Sequence, residues 1–239
     1  MARVGRVAAE TESRPVPAAL PPPLRAWFGV LAALAAVAVA VLAAVYAGHG
    51  EAGRADRWVM DPTADSVRPP WRGVALAVDF LGEPVGAAVL VLAAVTGCLL
   101  LRRPRAAVSA VAGTGVAVVV ATLLKSLVGR TIHGPGNLSY PSGHTAFLTA
   151  LALALALALL PAGRPGPGGA AGASLALAAA LVAGAAMGWA QVALGAHYPT
   201  DVLGGWCTAL AVVPVTAWLV DRIADRIAER RGHRQQGYQ

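Results

Sequence analysis

Apolar residues in this chain fall in long runs that charge does not interrupt, and this pattern constrains the fold more than anything else in the sequence. A run of about 18 or more reads as a helix crossing a bilayer, because hydrocarbon offers no partner to an exposed backbone amide. Six stretches fit, roughly 26–47, 84–101, 106–128, 142–160, 173–195 and 202–220. Only 13 % of the 239 residues are charged, against about a quarter in a soluble domain. The expectation is an all-α membrane protein of one domain, a bundle of about six transmembrane helices. The apolar segment 73–82 reads as a short helix or as an early start to the second span.

Residues 1–25 carry Pro15, Pro17 and the Pro21-Pro22-Pro23 run, and read as a disordered tail. The apolar run after them is too long for a signal-peptide core, so it reads as an uncleaved first span. The loop of about 49–72 is polar, with Trp58 and Trp71 as interface anchors. Residues 161–167 form a Pro/Gly linker, and 221–239 a basic tail, a short amphipathic helix that frays. Pro214 predicts a kink in the last span. Cys98 and Cys207 lie inside apolar runs, which argues against a disulfide framework.

The net charge of +7 does not imply nucleic acid, because the excess Arg sits in loops and tails. With six spans, one side of the bilayer holds thirteen Lys and Arg and the other six. The richer side, carrying both termini, is expected to be cytoplasmic in the plasma membrane.

Two polar phrases then share the outer face: Pro141-Ser142-Gly143-His144 and His197-Tyr198-Pro199-Thr200-Asp201. Ionisable groups at the margin of a span are costly and point to function. Ser142 suits a helix N-cap, Gly143 admits close approach of a ligand, and the free N–H groups of a helix start bind anions. His144 sits in that first turn. His197 and Asp201, spaced i, i+4, share a helical face. A carboxylate on one ring nitrogen fixes the tautomer and leaves the other as nucleophile or base. Two His in one phosphate site allow one to attack phosphorus while the other protonates the leaving oxygen. Lys125 and Arg130 stand ready to neutralise phosphate charge. Zinc is disfavoured, since no third neutral ligand has helical spacing. Asp79 and Glu83 read as a solvated interfacial pair, His133 as an ordinary loop residue, and Tyr140 and Tyr198 as headgroup-level aromatics.

These phrases resemble the type 2 phosphatidic acid phosphatases (PAP2), a lipid phosphatase superfamily related to vanadium haloperoxidases. The middle family motif, Pro-Ser-Gly-His, is complete at 141–144. The last, ending His-x-x-x-Asp, is matched at 197–201, with Gly204-Gly205 following. The resemblance covers roughly 73–220. It implies a PAP2/haloperoxidase-like core in which His197 forms a phosphohistidine, Asp201 orients it and His144 is the acid. Lys125, Arg130, Ser142 and Gly143 would hold the phosphoryl oxygens, and no metal ion or other cofactor is needed. The partners implied are a membrane lipid phosphate and the bilayer: phosphatidic acid, phosphatidylglycerol phosphate, or a polyprenyl phosphate or diphosphate.

Two positions depart from the family pattern. Its first motif puts Arg-Pro where this chain has Ile132-His133, with Arg130 two residues earlier as a substitute. Its third motif has Ser-Arg where this chain has Ala190-Gln191. Gln191 offers a neutral hydrogen bond of ~1 kcal/mol in place of a charged one of ~1.5–3. The difference is on the order of tenfold in phosphate or transition-state affinity. The rival readings are a non-catalytic or weakly active relative that binds or moves lipid phosphates, and a lipid phosphotransferase.

Overall fold

The computed structural model describes residues 16–64, 67–160 and 167–236. Its regular elements are all helical: α1 (Arg25–Tyr46), α2 (Arg54–Ala64), α3 (Trp71–Phe80), α4 (Pro84–Leu100), α5 (Pro104–Val128), α6 (Gly143–Leu159), α7 (Pro167–Ala193) and α8 (Pro199–Gln236). Ala and Leu, good helix formers, dominate them. Their ends obey local chemistry. Pro84 and Pro104 open α4 and α5 in the first turn, where a missing N–H costs nothing. Gly129 closes α5 in the left-handed conformation (φ 63°), and its N–H returns to the Lys125 carbonyl.

Helices α1, α5, α7 and α8 are each long and apolar enough to cross a membrane. Helices α3 and α4 pass that test together and meet at a 64° bend, and α6 is a shorter apolar helix of 17 residues. All six expected stretches are thus helical, although α6 falls short of a full span and the second span starts as the separate helix α3.

Helix α6 is the centre of the bundle. It packs on α5, α7 and α8, and Ala146, Ala150 and Leu153 have no exposed surface. Small residues bring its neighbours close, as where Gly113 of α5 faces Val213 of α8. On α1 the opposite face carries Trp27, Val30, Leu34, Val37 and Val41, all exposed, at helical spacing. That stripe is suited to face lipid.

Four expectations are corrected. Part of the polar 49–72 loop is the helix α2. Residues 19 and 20 are not loose: the buried Asp221 carboxylate accepts both their N–H groups, at 2.8 and 3.0 Å. Residues 1–15 and 161–166, the rest of that tail and most of the linker, lie outside the described residues. The tail is helical as expected but not a separate short helix: α8 continues unbroken past Val220 to Gln236, and Arg105 of α5 pairs with Asp225 at 2.7 Å as well as with Asp221 at 3.7 Å. At 1.5 Å per residue it spans about 57 Å, nearly twice the ~30 Å hydrocarbon core. Tyr140 and Tyr198 are buried in protein rather than packed against headgroups.

The bundle therefore has two different polar ends. At one, Asp221 gathers residues 19–20, Arg25 and Arg105, while Arg103 binds the Ala158 and Leu160 carbonyls. At the other, the ends of α1 and α5 meet the starts of α6 and α8, and both polar phrases lie there.

Candidate active site

Ser142 begins α6 as its N-cap: its Oγ accepts from the Thr145 N–H at 3.3 Å and shares a proton with Thr145 Oγ1 at 3.0 Å. Its own N–H donates to the Asp201 carbonyl at 2.9 Å, which ties the start of α6 to the start of α8. Gly204 and Gly205 permit that approach. A Cβ at Gly205 would stand 2.5 Å from the Ser142 carbonyl oxygen, and one at Gly204 would stand 2.4 Å from the Tyr140 ring. Tyr140 in turn donates its hydroxyl to the Val39 carbonyl of α1 at 2.9 Å. Ser142 has no exposed surface, and its backbone and hydroxyl shape the start of α6. The N–H groups of Gly143 and His144, next in the turn, carry no hydrogen bond among the described residues. They are the donors α6 can offer an anion.

His197 lies between α7 and α8, 6 % exposed. Its N–H and that of Ala196 both reach the Gln191 carbonyl, which turns the chain at the end of α7. Its Nδ1 is 3.6 Å from Asp201 Oδ2, wider than a hydrogen bond but aligned as an ion pair on protonation. Its Nε2 makes no hydrogen bond among the described residues. Burial pushes the His197 pKa below the ordinary value, with Asp201 opposing and charge on Lys125 and His144 adding to the push. The Ser142–Asp201 backbone bond and the Lys125–Leu138 bond bring Lys125, His144, His197 and Asp201 to the same end of the bundle. Lys125 sends one Nζ proton to the Leu138 carbonyl at 2.9 Å.

Arg130 behaves differently from the sequence expectation. Its side chain has no exposed surface. One terminal nitrogen donates to Asp201 Oδ1 and to Thr200 Oγ1, both at 2.6 Å, and the other to Asp56 Oδ2 at 2.6 Å. The rings of Tyr46 and Tyr198 sandwich the guanidinium, 4.0 and 4.3 Å from it. It anchors the oxygen of Asp201 that faces away from His197, and its two terminal nitrogens are engaged by protein. Position 132, where the family pattern has Arg, holds a buried Ile.

Asp56 was missing from the sequence reading. Besides Arg130 it accepts from the Thr200 N–H and Oγ1 at 2.9 and 2.8 Å and from the Gly53 N–H at 3.0 Å. Its signal is only an acidic residue in the first turn of α2, a feature shared with many solvated helices. His133 also does more than expected: its Nε2 meets the Gly195 carbonyl at 2.7 Å and joins the loop after α5 to the loop before His197.

Gln191 is buried, and its amide donates to Asp79 Oδ1 of α3. Asp79 and Glu83 are expected to face solvent; Glu83 is indeed half exposed, but both carboxylates also stand beside His144. Its Nε2 lies 3.8 Å from Asp79 Oδ1 and 3.6 Å from Glu83 Oε1. Gly82 lets the α3–α4 bend touch the imidazole, for a Cβ there would stand 2.1 Å from His144 Cδ2. The donor atoms of Asp79, Glu83 and His144 all lie within 4.8 Å of one another, close enough to share a cation.

Residues 106–225 match the PAP2 superfamily. This chain belongs to it. The PAP2 fold is also that of a solved structure, the first transmembrane PAP2 type phosphatidylglycerolphosphate phosphatase from Bacillus subtilis, with a TM-score of 0.61 at 21 % identity. That likeness covers 82 % of this chain and 96 % of the other. No curated protein matches. The PAP2 match includes Lys125, His144, His197 and Asp201, and leaves out Asp56, Asp79 and Glu83, the acidic residues that α2, α3 and the α3–α4 turn bring to the site.

Proposed function

We propose that this PAP2 protein is a lipid phosphate phosphohydrolase acting through a phosphohistidine. The observation that carries this is the convergence of His197, paired with Asp201, upon His144 and Lys125 at one end of an apolar bundle. His197 Nε2 attacks phosphorus and the ester P–O bond breaks. The leaving oxygen takes a proton from His144. Water then attacks the phosphohistidine, gives its proton to His144, and releases phosphate with His197 restored. Burial favours the neutral His197 ring, the form in which a nitrogen lone pair is available. Lys125 and the N–H groups of Gly143 and His144 hold the phosphoryl oxygens. Arg130 and Ser142 position Asp201 and the start of α6.

The site lies opposite the Arg-rich end, which supports an outward-facing site with both termini cytoplasmic in a plasma membrane. Its place at the margin of the spans suits a substrate whose tail stays in the bilayer, such as phosphatidic acid, phosphatidylglycerol phosphate or a polyprenyl phosphate or diphosphate. One observation favours a second reading, a weakly active or non-catalytic lipid-phosphate binder. Arg130 is consumed by two aspartates and Gln191 by a third, so the pocket is poor in free positive charge.

Phosphate release from detergent micelles tests the proposal, using a panel of lipid mono- and diphosphates with vanadate or EDTA, beside His197→Ala. Release that is vanadate-sensitive, EDTA-resistant and lost in H197A is expected. A fully active H197A sinks the mechanism. Folded protein that binds these lipids without releasing phosphate moves the assignment to the binder.

A further inference from the structure

In a site built on two histidines, each ring needs a fixed direction. Asp201 supplies it for His197. His144 has no partner on its own helix, and its Nε2 is buried without a hydrogen bond. What lies beside that nitrogen is the bend between α3 and α4, a segment ahead of the PAP2 match. We propose that Asp79 and Glu83 are positioning residues for His144, doing for the acid what Asp201 does for the nucleophile.

Three features of the bend support this. Its 64° angle carries Asp79, on the last turn of α3, and Glu83, the residue before α4, to the same side. Gly82 lies against the imidazole where any side chain would collide, so the bend is fitted to the ring. Asp79 is held from behind by the Gln191 amide of α7, and through Gln191 to the backbone of His197. The two carboxylates are not redundant: Asp79 is pinned and half-buried, whereas Glu83 is 51 % exposed and free to follow the ring. In the doubly protonated ring Nε2–H is directed at this pair, which sets the ring plane. Nδ1–H, without a hydrogen bond among the described residues, is left to protonate the leaving oxygen. The inference rests on the acid role proposed for His144.

A leaving-group comparison tests it. Dodecyl phosphate needs its leaving oxygen protonated, whereas 4-nitrophenyl phosphate departs as a stable anion. Asp79→Asn/Glu83→Gln should lose about 10- to 100-fold in kcat/KM on dodecyl phosphate, at or below the lower edge of the ~10²–10⁴ of acid catalysis because the imidazole itself remains. On 4-nitrophenyl phosphate kcat/KM, which reports only the steps up to departure of the leaving group, should stay within about threefold. His144→Asn should show the same selectivity, and adding it to the double variant should cost little more. A fold defect would depress both substrates alike. Equal losses on both in the double variant, with H144N still selective, overturn the role of the carboxylates alone. An H144N enzyme that does not discriminate removes the acid role and this inference with it. Glu83→Gln by itself leaves the fold intact, because the side chain is half exposed, so selectivity there provides a second reading; its absence in both single and double variants overturns the proposal.

Discussion

Replacing Arg130 with Met removes the one cation between Asp56 and Asp201. Both carboxylates lie 2.6 Å from its terminal nitrogens and neither has exposed surface. The variant leaves two buried like charges facing the same void, and it also loses two ring contacts. Breaking a buried ion pair by removing one partner costs about 3–5 kcal/mol. At about 2–4 °C per kcal/mol for a chain of this size, the thermal midpoint should fall by roughly 6–20 °C. Loss of the monodisperse peak on heating in detergent is a direct assay. The cause is tested by a second change. Asp56→Asn in the R130M background removes one of the repelling charges and should raise the midpoint again, although D56N alone lowers it. That reversal of sign is specific to charge repulsion. Arg130→Lys keeps the charge but reaches only one aspartate and loses the planar stacking, so it should fall between wild type and R130M. An R130M protein with wild-type midpoint would refute the reasoning. So would an R130K protein whose defect lies wholly in KM, since that marks a phosphate ligand and not an anchor for Asp201.

Three further outcomes follow from the geometry. Because burial lowers the His197 pKa, the neutral nucleophile persists below the ordinary His value, and the acidic limb of kcat/KM should lie below pH ~6.5; a limb above that value contradicts the burial argument. By the same sign, stability contributed by neutral His197 is present above pH ~6.5 and is lost as pH falls through the lower folded value. Gly82→Ala should cut dodecyl phosphate turnover at least about tenfold by displacing His144 while the protein stays monodisperse, and unchanged turnover would show that the bend yields to a methyl group. Asp221→Ala should destabilise by about 3–5 kcal/mol, leaving turnover per folded molecule unchanged, because Asp221 fastens the opposite end of the bundle; a selective loss of turnover would tie the two ends together.

The helices and the two histidine phrases were legible because each is written in consecutive residues. Apolar runs mark spans by length, and His197 and Asp201 sit at helical spacing. Gly204-Gly205 was legible as a motif, but its reason, the contact with Tyr140 and Ser142, is tertiary. Arg130 was misread for a physical cause. An Arg near a phosphate motif suggests an anion ligand, and only the fold shows two aspartates there first. Asp56 lies 74 residues before Arg130 in an otherwise polar loop, and nothing local separates it from a solvated acid. Asp79 and Glu83 do have i, i+4 spacing, yet that pattern fits a wet helix face equally well. The 64° bend at Gly82 brings both beside His144. The continuation of α8 past the bilayer was hidden because the Arg-rich composition of residues 222–234 resembles a frayed tail until Asp221 and Asp225 are seen to hold α5.

A phosphohistidine enzyme must pass through a covalent intermediate that can be trapped. Protein mixed with a ³²P-labelled lipid phosphate, quenched within a turnover in alkaline detergent and digested, should yield label on the peptide carrying His197. That label should survive alkali, disappear in acid and be missing from H197A. Rapid phosphate release by wild type with no trapped label, or label of equal yield in H197A, would contradict the phosphohistidine account.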